Sequence, residues 1–298
     1  HGRYSGSNWY VDYNWEDLYR NALVNLNVDS LGCQGATDYS EVECSADTYE
    51  LARDIFQKYA GQTPHYSRIG RSGDQSFWGI GIPALYQLLS RQPKGKDAGV
   101  FIPGLPWFWH TEADTVDKID RGILLKDTRI WRLCTAPVLP LTFGPVAEEF
   151  LRHLSELQQK AGDAFDLGPL KESAEALKSR AEELRRVSEE VSARLESQGA
   201  VDGRLAVAAA ALDDCSQKLS RILMPASYSA VDRFDADLAV AIPPLPRLRP
   251  VEGMAGMDRD SAEFKFLERK MVRERNRLNH ALLRACDLIS ATLEAVQI

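Results

Sequence analysis

Ala22-Leu23-Val24-Asn25-Leu26-Asn27-Val28-Asp29-Ser30 alternates between apolar and polar residues and then stops abruptly in a polar cluster. A repeat of two is the signature of a strand, because successive side chains leave a strand on opposite faces. The run is predicted to be a buried strand. In open α/β sheets ligands gather beyond the carboxyl ends of strands, so Asp29 is a candidate site residue by position alone. The competing reading is an aspartate that forms a turn or caps a helix.

The flanking sequence continues an alternation of helix and strand. Residues 1–9 combine glycine, serine and aromatics and are expected to be a tight loop, leading into a helix that ends near Asn21. Beyond the strand, Gly32 to Tyr39 reads as a loop and Ser40 to Cys44 as a short strand. Ala46 to Tyr59 reads as a helix through Leu51, Ile55 and Phe56. Next comes Arg71-Ser72-Gly73-Asp74-Gln75-Ser76-Phe77-Trp78-Gly79-Ile80-Gly81-Ile82-Pro83-Ala84, predicted as a polar turn, one aromatic helical turn and a glycine-bounded apolar strand. Asp74 there either faces a pocket or caps the short helix. Gly95 to Gly104 is a basic, glycine-rich connection.

Trp107-Phe108-Trp109-His110-Thr111-Glu112-Ala113-Asp114-Thr115 places one histidine between aromatic rings and the acidic start of a helix expected over about Thr115 to Cys134. A neutral imidazole held by bulky rings is a good zinc donor, and Glu112 and Asp114 are close enough in sequence to fix its tautomer. A lone histidine beside a capped helix is the alternative.

The composition changes at Pro137-Val138-Leu139-Pro140, and from about Ala147 the pattern is helical. Phe150, Leu151, Leu154 and Leu157 share a face, and Leu170 to Leu195 carries one apolar stripe among many charges. Ala206 to Leu223 is more apolar and is expected to be central in a bundle. Ile242 to Pro250 is proline-rich and is expected to be an extended connector that cannot be helical. Ser261 to Val296 is a long helix with Phe264, Leu267, Met271, Leu278, Leu282, Cys286, Ile289 and Leu293 at core spacing. The charges of Glu268 to Arg277 are assigned to its wet face. The fold class is therefore α/β followed by a mostly α-helical domain, with the boundary at about residue 140.

The 298 residues and 44% hydrophobic content suffice for a substantial core. A formal charge of -7 offers no positive field for nucleic acid or an anionic membrane, and no segment reads as a membrane span. The compartment stays open. Five cysteines, at 33, 44, 134, 215 and 286, match neither a metal knuckle nor a dense disulfide framework, so reduced thiols are expected.

Taken in order, Asn27-Val28-Asp29-Ser30, Ser72-Gly73-Asp74-Gln75, Gly81-Ile82-Pro83 and Trp109-His110 resemble motifs of the zinc aminopeptidase and glutamate carboxypeptidase family. The helical region resembles the dimerisation domain of its transferrin-receptor branch. The resemblance implies a mixed sheet with flanking helices, two zinc ions, and hydrolysis of a peptide or small amide by metal-activated water. It implies Asp29 and His110 as zinc ligands and Asp74, Gln75 and Trp109 as substrate-pocket residues. Glu112 or Asp114 would steady His110, and the helical region would form a homodimer. The family's other ligands, including an adjacent glutamate pair that supplies the general base, lie upstream of the Asn-x-Asp-Ser strand and have no counterpart here. His1 stands near where that pair is expected, so the chain is expected to be N-terminally incomplete and inactive alone. The alternative is a non-catalytic, transferrin-receptor-like homologue acting in binding or assembly.

Overall fold

The computed structural model describes residues 4–70, 74–88, 90–93, 95, 104–134, 141–197 and 203–296. His1, Ser72, Gly73, most of the 95–104 connection and the Pro137–Pro140 break lie outside the described residues. The chain divides into two compact units. A sheet unit comprises Val24–Gly73 and Ala84–Leu141, and a helical unit comprises His1–Leu23, Asp74–Pro83 and Thr142–Ile298.

The sheet unit is built on four strands, β1 (Asn25–Asp29), β2 (Glu41–Cys44), β3 (His65–Arg68) and β4 (Ala84–Leu88), in the order β1-β4-β2-β3. β1 runs parallel to β4, with Asn25 opposite Ala84 and Asp29 opposite Leu88, and β2 runs parallel to β3. β2 and β4 are antiparallel, so the sheet is mixed. The predicted strand around Val28 forms, but it is not buried: β1 is an edge strand, and Val28 is 51% exposed. Alternation reports only that one face differs from the other, whereas burial on both faces needs neighbours on both sides. β3 has no apolar alternation and was not anticipated; it is held by its register with β2.

Two helices, α2 (Tyr49–Ala60) and α3 (Arg121–Cys134), pack with the sheet around one core. Val42, Cys44 and Leu85 from the strands meet Ala52, Ile55 and Phe56 from α2 and Ile130 and Trp131 from α3. Short 3₁₀ turns, Ala46–Thr48 and Val116–Lys118, lead towards the two helices. Asp120 caps α3, its Oδ1 accepting from the Ile123 amide at 2.9 Å.

The helical unit begins with α1, Ser5–Asn21, which starts inside the 1–9 stretch expected to be a loop. Glycine and serine are poor helix formers, but tertiary contact overrides weak propensity. Val11 of α1 is buried with Ile80 and Ile82, and the Ser7 hydroxyl lies 3.0 Å from that of Ser76. Ile80 to Pro83 is not a strand, because β4 starts only at Ala84. Gly81 has φ +80°, and a Cβ there would meet the Arg221 Cα at 2.5 Å. The glycine is needed for a close approach of backbones.

The long helices are α4 (Gly144–Ala161), α5 (Gly168–Ser197), α6 (Gly203–Tyr228) and α7 (Ala262–Ala295). α5 packs against both α4 and α7, and α6 packs against α7. The buried residues of α5, Leu170, Ala174, Leu177, Ala181, Leu184 and Val191, keep the three-four spacing of a seam. Among the described residues no helix is long and apolar enough to cross a membrane.

The proline-rich connector departs from expectation: Pro246–Gly256 is a 3₁₀ helix with Pro246 in its first turn and Pro250 inside. The proline φ of about −65° suits a 3₁₀ turn, and a first-turn proline gives up no donor. Leu245, Leu248, Val251 and Met254 are all buried, each three residues after the last, which is the repeat of a 3₁₀ helix.

Candidate functional site

Asp29 ends β1 and is exposed, with its Oδ1 accepting from the Ser30 hydroxyl at 3.0 Å. Ser30 then turns the chain with φ +54°, and Gly32 follows at φ +74°. A Cβ on Gly32 would sit 2.6 Å from the Cβ of Leu124 in α3, so only glycine lets the loop lie against that helix.

This loop is stitched to the segment that follows His110. Cys33 pairs with Ile119 in an isolated antiparallel bridge. The Gln34 amide donates to the Lys118 carbonyl at 2.9 Å, the Asp120 amide donates to the Gly32 carbonyl at 2.8 Å, and Gln34 Nε2 donates to the Asp117 carbonyl at 2.6 Å. The two sequence motifs, 81 residues apart in the chain at Asp29 and His110, therefore lie on connected loops of one unit.

Asp127 of α3 anchors the arrangement. It is fully buried and accepts from the Gly32 amide at 2.9 Å, the Tyr39 hydroxyl at 2.8 Å and the Ser90 hydroxyl at 2.8 Å. Burial, reinforced by the hydrogen bond to Asp127, pushes the Tyr39 phenol well above its usual range, and Lys126 Nζ sits 4.3 Å from that ring. Cys33 lies in the same neighbourhood. Burial pushes its thiol up to about 11, with the negative charges of Asp114, Asp127 and Asp29 adding to the effect. Asp29 and Asp114 are thus both within electrostatic reach of one sulfur, which holds the thiol in its protonated form at neutral pH.

The aromatic loop is fixed by Leu105 and Phe108, which are buried, while Trp107 is exposed. The Trp109 amide donates to the Pro106 carbonyl at 3.1 Å, and the Thr111 hydroxyl donates to the Phe108 carbonyl at 2.6 Å. His110 is exposed and held at φ +58°, its ring stacked on Trp109 with centroids 3.5 Å apart and 12° between planes. Trp109 therefore positions the imidazole as a flat wall. A histidine in the left-handed region costs on the order of 1 kcal/mol, and such residues cluster at functional sites. Ser30, Asp74 and His110 are three of the five non-glycine residues with positive φ among those described. Each lies in or beside a motif singled out from the sequence.

Neither Glu112 nor Asp114 makes a hydrogen bond to His110; both are exposed, and the Asp114 amide donates to the Thr111 carbonyl at 3.1 Å. In the helical unit, Asp74 accepts from the Ser76 amide at 3.1 Å and so caps the short 3₁₀ turn Gln75–Phe77. Gln75 is buried, its Nε2 donating to the Val240 carbonyl at 2.7 Å while its Oε1 has no hydrogen-bond partner.

Cys33 and Asp127 were not anticipated as parts of this region. Asp127 had a legible signal: it falls between Leu124 and Ile130 on the face of α3 that Ile130 and Trp131 bury. An acid at a core register needs donors, and here it has three.

Among the described residues no group of three or more His, Cys, Asp or Glu side chains is placed to hold a metal ion. Asp29 and His110 are donors of the right chemical type, but the described residues do not by themselves complete a zinc site. No family model matches the chain, and a search of curated proteins returns no match.

Proposed function

We propose that the end of β1 and the His110 loop form part of a two-zinc hydrolase site, with Asp29 and His110 each a ligand to one ion and the remaining ligands supplied from outside the described residues. The substrate is a peptide or related small amide, and zinc supplies the activated water. Trp109 contributes to the substrate pocket, and the helical region makes a homodimer. The observation that carries the reading is the stitching of Gly32–Gln34 to Lys118–Asp120, which joins the loop after Asp29 to the segment after His110. Asp29 also stands at the carboxyl end of a parallel strand pair, where ligands of such sheets collect.

Because two donors cannot hold a co-catalytic pair, the 298-residue chain alone is expected to bind zinc weakly and to lack peptidase activity. The test is zinc content and isothermal titration on this chain and on the complete natural polypeptide. Two zinc ions per complete polypeptide are expected, each lost in one of Asp29→Ala and His110→Ala. Two tight sites on the 298-residue chain, or full zinc retention in both variants, would sink the proposal. A complete polypeptide that is dimeric by sedimentation and binds no zinc would instead favour the non-catalytic assembly role.

A further inference from the structure

The helical unit encloses a second chemical environment that the metal reading does not use. A cavity of about 300 Å³ opens between the end of α6, the loop after it and α7. That size suits a small molecule. Its apolar wall includes Leu245, Leu248, Leu278 and Phe234, and its polar side includes Glu274, Arg247 and Arg277.

Glu274 is the residue that makes this more than a gap. It occupies a core register of α7, three residues after Met271 and four before Leu278, and only 9% of it is exposed. Its Oε1 accepts from Arg277 Nη1 at 2.5 Å. Its Oε2 is buried without a hydrogen-bond partner, and Arg247 Nη1 stands off at 3.9 Å, beyond hydrogen-bonding range. A buried carboxylate oxygen without a donor is costly, and native structures usually satisfy such atoms.

The arginines are in the complementary condition. Arg247 is committed to Asp232 at 2.8 Å and to the Val231 carbonyl. Arg277 donates to Glu274 through Nη1, and Arg233, also on the lining, lies over the Tyr19 ring at 4.9 Å and has no carboxylate partner among the described residues. Three arginines against Asp232 and Glu274 leave the lining one positive charge in excess. The cavity thus offers a cationic fork for an anion, an acceptor for an N–H group and a branched apolar wall.

We infer that this cavity binds an apolar amino-acid residue that carries a free carboxylate and an acylated N–H. The carboxylate meets Arg277, the N–H donates to Glu274, and the side chain lies against Leu245 and Leu278. A free N-acyl amino acid and the last residue of a peptide share this chemistry. The inference stands apart from the zinc reading and survives its failure.

The experiment is calorimetric titration of the full chain with N-acetyl-leucine, N-acetyl-leucinamide and 4-methylpentanoate. N-acetyl-leucine is expected to bind, and removing either its charge or its N–H is expected to weaken binding about tenfold or more. Arg277→Gln, at an exposed side chain, should erase the preference for the carboxylate. Glu274→Leu, which removes the acceptor, should erase the preference for N-acetyl-leucine over 4-methylpentanoate. The wild-type ligand series decides the matter even if Glu274→Leu fails to fold. Acetyl-Ala-Ala-Leu binding more tightly than N-acetyl-leucine identifies a peptide end, and equal or weaker binding identifies the free N-acyl amino acid. No binding of N-acetyl-leucine, or equal binding of its amide, overturns the inference.

Discussion

Asp127 in the sheet unit and Glu274 in the helical unit both stand at core positions of helices, and the two acids are in opposite states. Asp127 in the sheet unit is fully buried and holds three donors, from Gly32, Tyr39 and Ser90. Glu274 in the helical unit is 9% exposed, has one oxygen bonded to Arg277 and leaves the other without a hydrogen bond beside a cavity. A saturated acid has nothing left to offer a ligand, so it acts as a rivet for the loop after β1. A half-saturated acid retains binding capacity, at some expense in stability. The comparison separates a structural buried charge from a functional one by counting partners rather than by burial.

Asp127→Ala should break the first half of this contrast with the largest effect. It strands three donors in a closed site, each worth on the order of 1–3 kcal/mol, so a loss of about 3–5 kcal/mol is expected in urea unfolding. A loss below about 1 kcal/mol would show that Asp127 is not the rivet.

Glu274→Leu tests the other half and should run the opposite way. Replacing a poorly satisfied buried carboxylate by an apolar residue is often neutral or stabilising, and Arg277, exposed as it is, regains water. A change between zero and about 1 kcal/mol of added stability is expected, with loss of N-acetyl-leucine binding. Destabilisation as large as that of Asp127→Ala would put the two acids in one structural class.

The smallest effect concerns the packing that Asp127 maintains around Cys33. The folded thiol titrates at about 11, above its ordinary value near 9, so the native state holds its proton longer than the unfolded chain. The stability this contributes is fully present below about pH 9 and is lost as pH rises through about 11. Iodoacetamide should therefore modify Cys33 in the native protein more slowly than in urea at pH 8–9, by up to about tenfold. Equal rates would mean that Cys33 lies outside the packed region and its neighbouring charges.

Much of the fold was legible because it rests on local periodicity. The alternation ending at Asp29, the helix through Ile55 and Phe56, and the seams of α5 and α7 all repeat with the period of their own backbone. The mixed sheet with flanking helices followed by a mostly helical region matches that reading. The proline connector departs from an extended reading because proline breaks an α-helix but fits a 3₁₀ turn. The three-residue repeat from Leu245 to Met254 was already present to correct that. Assigning Glu268–Arg277 wholly to a wet face failed at Glu274, since a run of charge conceals the one member that falls on the buried stripe. For the candidate metal region, Asp29 and His110 were visible as donor types. Cys33, between an edge strand and a bridge to Ile119, was not, because nothing local marks it.

By itself the sequence determined the strand ending at Asp29, the helix through Ile55 and Phe56, and the apolar faces of the long helices. Those properties depend on residues within a few positions of one another. Only the tertiary structure decided which of the acids Asp127 and Glu274 is satisfied. The donors to Asp127 lie 37 to 95 positions away, and Arg247 lies 27 positions from Glu274 and stops 3.9 Å short of it. A hydrogen bond is complete or absent within a few tenths of an ångström, and no local pattern carries that distance.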